Sequence, residues 1–128
     1  MPQWKQKAFE DLPAYRHELQ ENCDTPYLFF GFLHDEMKNA YRLGEEDAAG
    51  RILDYVRWCI TSAPKGTDAS NDVCTMALCG FVEHIPDDED SYRWIARKWP
   101  RGLMLELRET LTYHGDEEQY RRYALQDD

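Results

Sequence analysis

Residues 25–44 read TPYLFFGFLHDEMKNAYRLG, and their punctuation decides the fold class. Thr25 is a natural N-cap, because its hydroxyl can accept from a free backbone N–H, and Pro26 suits the first helical position, where a missing N–H costs nothing. Gly44 suits the left-handed residue that closes a helix. Between these marks the apolar residues recur at three and four, which predicts a helix over about 26–43. No stretch elsewhere sustains the two-residue alternation of a strand, so the chain is expected to be all-α.

The same punctuation extends in both directions. EEDAAGRILDYVRWCITSAP begins with three acids, favourable at a helix N-terminus, and ends before Pro64. Ile52, Leu53, Tyr55, Val56, Trp58, Cys59 and Ile60 cover most of its circumference, so this helix is expected to be central. SAPKGTDASND gathers Pro, Gly, Ser and Asn and reads as the one long loop. A helix from about Asn71 to Ile85 should follow. PDDEDS closes it and starts a short helix, capped by Asp90 or Ser91, with Tyr92, Ile95, Ala96 and Trp99 as its stripe. RGLMLELRETLTYHG aligns Leu103, Leu107 and Leu111 and ends at Gly115, and DEEQYRRYALQDD turns Tyr120, Tyr123 and Ala124 inward. With a short helix opened by Pro13, the count is six or seven, arranged as an irregular antiparallel bundle or stacked helical hairpins.

A chain of 128 residues is the size of one domain and can bury a core without disulfides or metals, so a single domain over 1–128 is expected. Apolar residues at 42% and aromatics at 13% argue against disorder. Twenty-five acidic against fifteen basic residues leave a net charge of −10, which repels nucleic-acid phosphates and anionic lipid. No direct nucleic-acid or membrane partner is expected. No apolar run approaches the roughly 20 residues that span a bilayer, and the first residues lack a signal-peptide core, so a cytoplasmic location is expected. In that compartment Cys23, Cys59, Cys74 and Cys79 read as core thiols.

CTMALCGFVEH places Cys74, Cys79 and His84 five residues apart. On one helix, steps of five rotate by about 140°, so the three side chains diverge and cannot chelate together. No CxxC or HxxxH pair is present, and no metal or other cofactor is expected. His34, Asp35 and Glu36 are adjacent and spread around a helix. His84 and His114 fall in last turns, where imidazolium caps free carbonyls. Serines stand at turns outside any GxSxG context, and there is no glycine-rich phosphate loop, so no catalytic residue is assigned. The basic island YRWIARKWPR is expected to pair with PDDEDS.

RILDYVRWC, FVEHIPDD and LRETLTYHG, in that order over 51–115, resemble a family of small bacterial all-helical domains with no assigned activity. In size, acidity and helicity the chain is also similar to bacterial immunity proteins, which neutralise a toxin by occluding its working surface. The resemblance implies an acidic binding protein whose basic partner is a toxin, an effector or a defence component. Glu46, Asp47, Asp87, Asp88 and Asp90 are the candidate contacts by charge, with Trp94 as an aromatic anchor. Two other readings are an inhibitor of a host defence nucleoprotein complex that mimics nucleic acid, and a small helical enzyme or metal protein using His34, Glu36, Glu83 and His84.

Overall fold

A computed structural model describes residues 3–23, 25–63 and 72–125. Helix is the regular secondary structure throughout the described residues. The chain divides into two compact units, Met1–Phe81 and Val82–Asp128. The division falls inside CTMALCGFVEH rather than at the expected loop, of which residues 64–71 lie outside the described residues.

In the first unit α1 spans Gln3–Asp11, and a 3₁₀ turn opened by Pro13 leads into α2, Arg16–Glu21. The long helix α3 runs over Pro26–Arg42 and α4 over Glu46–Thr61. The expected marks hold: the Thr25 hydroxyl accepts from the Leu28 N–H, Pro26 is the first helical residue, and Gly44 alone has positive φ (+77°) among the described residues. The next helix, α5, is shorter than expected and covers Val73–Gly80. Its expected start at Asn71 lies outside the described residues. It gives way to a 3₁₀ run at Val82–Asp87, and Pro86 supplies a reason, since a proline ring clashes with the carbonyl four residues back in a continuing α-helix.

Helices α3, α4 and α5 pack on one another, and α1 packs on α4. Phe29, Phe30, Leu33 and Met37 of α3 and Ile52, Tyr55, Val56 and Cys59 of α4 are buried. The Phe29 ring meets Trp4 at 6.1 Å and the edge of Tyr55 at 6.0 Å. Close approach of α5 to α3 depends on Gly80, where a Cβ would lie 2.9 Å from Phe30 Cβ and 3.1 Å from the Tyr27 carbonyl. His34, flanked by exposed Asp35, is buried against the Phe81 ring at 5.5 Å.

The second unit contains α6 (Glu89–Lys98), α7 (Arg101–Glu106), α8 (Arg108–Leu111) and α9 (Glu117–Gln119), which continues as a π-helical turn over Tyr120–Ala124. The cap of α6 is Asp88, whose carboxylate accepts from the Ser91 N–H at 3.0 Å, and not Asp90 or Ser91. The expected helix over 101–115 is interrupted at Leu107 and stops at Leu111, before Gly115. Leu103, Leu107 and Leu111 are nevertheless all buried, as are Tyr120, Tyr123 and Ala124. These breaks, together with the unforeseen α1, bring the α-helices among the described residues to nine rather than six or seven.

A candidate binding cleft in the second unit

Pro86 lies within the 3₁₀ run, and its carbonyl accepts from Gln119 Nε2 at 3.0 Å. The bond ties α9 to the segment preceding α6. Asp116 caps α9 by accepting from the Gln119 N–H at 2.6 Å. Arg108 grips Glu117 through Nε at 3.1 Å and Nη2 at 2.8 Å, and this paired hydrogen bonding raises the Arg108 pKa. The Tyr120 hydroxyl donates to the Met104 carbonyl at 3.1 Å, anchoring the π-helical turn to α7.

These ties frame a cleft of about 510 Å³. Pro86 and Glu89 contribute from one stretch of chain, and His114, Gly115 and Asp116 from the turn after α8. Glu118, Gln119, Arg122 and Tyr123 come from the last helical segment. Three carboxylates therefore face this space against one arginine. Glu118 holds Arg122 at 2.9 Å, and Glu89 holds Arg93 at 2.9 Å. Arg93 also lies over the Tyr123 ring, 4.6 Å from its centroid, where a guanidinium meets the negative face of the aromatic.

A row of rings adjoins the cleft through His114. The imidazoles of His84 and His114 lie nearly parallel, 5.7 Å apart at 16°, and the Tyr113 ring stands edge-on to His114 at 4.8 Å. Each histidine has its own carboxylate: His114 Nε2 is 2.8 Å from Glu83, and His84 Nδ1 is 3.3 Å from Asp87. Both histidines, expected in last turns, thus pair with acids: His84 stands in the last turn of the 3₁₀ run, whereas His114 lies beyond the end of α8. Glu83 is 18% exposed and Tyr113 is 72% exposed, so the pair is half-sheltered while the tyrosine projects into solvent.

The candidate contact residues fall in two places. Glu46 and Asp47 are exposed in the first turn of α4, in the first unit. Asp87 and Asp90 are exposed in the second unit, beside the cap residue Asp88. Trp94 is 5% exposed, with Lys98 Nζ 5.9 Å from its ring, so its burial makes it part of the unit's own packing. Of the basic island, Arg93 reaches Glu89 as expected. Glu89 and Glu118 at the cleft, and the Glu83–His114 pair beside it, were not singled out as contacts from the sequence. The cleft joins segments distant in the chain, which linear spacing does not reveal.

Cys59 is buried beside Tyr55, and desolvation pushes its thiol up to about 12. Among the described residues no three His, Cys, Asp or Glu side chains gather in a geometry that would hold a metal. His34 and Glu36 belong to the first unit and Glu83 and His84 to the second. No helix of the described residues is long and apolar enough to cross a membrane.

Residues 6–115 match a family described as a domain of unknown function, DUF7674, and the chain belongs to that family. This agrees with the resemblance to an uncharacterised family carried by residues 51–115. No curated protein and no solved structure matches the chain.

Proposed function

We propose that this chain is an acidic protein-binding module, most concretely an inhibitor of the immunity type that covers the working surface of a basic toxin or effector in the cytoplasm. It acts by occlusion and not by turnover. The observation that supports this reading is the convergence of Glu89, Asp116 and Glu118 on one cleft, in a chain whose net charge is −10. A concentrated negative field speeds encounter with a basic surface and sets the orientation of docking. Exposed Tyr113 is the kind of aromatic that supplies affinity at such a contact, while Asp87 and Asp90 extend the acidic surface near Glu89 in sequence.

The test is capture of the partner from native lysate by tagged protein, followed by its identification and repetition with charge-reversed variants. Glu89→Lys with Glu118→Lys should abolish retention of a basic protein. Glu46→Lys with Asp47→Lys reports whether the acidic start of α4 also contributes. Retention unchanged in both variants would overturn the electrostatic mechanism.

A further inference from the structure

We propose that the cleft of the second unit receives an arginine side chain of the partner, and that Arg122 is an internal competitor which the incoming guanidinium displaces. The proposal rests on the acidic-binding reading above and specifies the chemistry of its site. A cleft of about 510 Å³ is within the range of sites that enclose a ligand group, so it can admit a long side chain and its flanking backbone. Its lining is not merely acidic: Tyr123 and His114 add ring surfaces to the carboxylates. Planar guanidinium stacks on rings and bonds carboxylates side-on, whereas ammonium offers only a compact charge.

The unit already displays this preference in its own contacts. Arg93 combines the two interactions, holding Glu89 at 2.9 Å while lying over Tyr123 at 4.6 Å. Arg122 lines the cleft and holds Glu118 at 2.9 Å. That second pair is four residues apart on one helical segment, with both side chains largely exposed, and such pairs contribute little to stability. It can be given up at small cost. A partner arginine would therefore exchange for Arg122 on Glu118, leaving Arg122 to swing into solvent. Removing Arg122 makes the cleft more negative by one charge and leaves Glu118 without its internal cation, so affinity should rise. A purely structural role for Arg122 predicts the opposite.

Amide chemical shifts of the full chain titrated with a hexa-arginine peptide at low salt test this, with hexalysine as comparison and thermal melts to show that each variant is folded. Wild type should respond around residues 115–123, and hexa-arginine should bind more tightly than hexalysine. Arg122→Gln should tighten hexa-arginine binding roughly three- to tenfold, and Glu118→Gln should weaken it by a similar factor, the scale of one partly exposed charge pair. Unchanged or weaker binding by folded Arg122→Gln, or equal binding of the two peptides, would overturn the proposal. Shifts confined to the start of α4 would overturn it while leaving the acidic-binding reading standing. No response anywhere at low salt would remove both.

Discussion

Two buried tyrosines show how the same residue type can make opposite contributions. The Tyr55 hydroxyl donates to the Trp4 carbonyl at 2.8 Å, joining α4 to α1, whereas the Tyr92 hydroxyl is buried with no hydrogen-bond partner among the described residues. Tyr55→Phe removes this buried bond between α4 and α1 and should cost about 1 kcal/mol in urea unfolding. Tyr92→Phe removes only a desolvated hydroxyl, so stability should be unchanged or higher. Equal losses for the two would mean that the Tyr92 hydroxyl also makes a stabilising interaction, against this account. Cys59 adds a pH dependence. Its thiol is pushed up to about 12 from the ordinary 9.0, chiefly by desolvation. The unfolded thiol thus ionises first as pH rises: the stabilisation is fully present below about 9 and is lost progressively up to about 12. Between pH 9 and 10 the loss from this group should be about 1 kcal/mol, and Cys59→Ala should show a correspondingly flatter decline over that interval.

At the level of elements, capping separates charge from structure. Asp88 is both a candidate contact and the cap of α6, so deleting its side chain confounds the two roles. Asp88→Asn keeps an acceptor for the Ser91 N–H and removes the charge, whereas Asp88→Ala removes both. The alanine variant should lose about 1 kcal/mol and the asparagine variant much less, by thermal unfolding. Loss of partner retention already in the asparagine variant, which keeps the cap, would then report charge. Gly80 tests the approach of α5 to α3. Alanine is the better helix former by about 1 kcal/mol, but its Cβ would press on Phe30 Cβ and the Tyr27 carbonyl, so Gly80→Ala should destabilise by a net 1–2 kcal/mol, roughly. The elements that were legible in sequence, α3 and α4, are long and marked at their ends by local chemistry. Those that were not depend on smaller signals. Helix α1 carries Trp4 and Ala8, with Leu12 just past its end, at intervals of four and all buried, but is too short to stand out beside the proline that follows it. The interruption at Leu107 occurs within an unbroken leucine register, which records burial but not local backbone geometry.

Over the whole molecule, net charge was legible from composition while its arrangement was not. Glu89, Asp116 and Glu118 meet because the Gln119–Pro86 bond and the Asp116 cap bring distant segments together, and no spacing rule encodes that meeting. The net charge of −10 nevertheless predicts two salt effects of opposite sign. Self-repulsion opposes the compact state, and added salt screens it. Salt also weakens the exposed ion pairs, such as Glu118–Arg122, but these individually contribute little, so relief of repulsion should dominate. Raising NaCl from about 20 to about 300 mM should therefore raise Tm by about 2–5 °C. Over the same range, retention of a basic partner should fall, because the field that destabilises the isolated chain is the one that attracts its ligand. A Tm that falls together with retention would show that the ion pairs around α6 and α9 hold the fold more strongly than the net charge opposes it. A Tm that rises while retention persists would place the binding energy in apolar contacts, with Tyr113 then the residue to substitute.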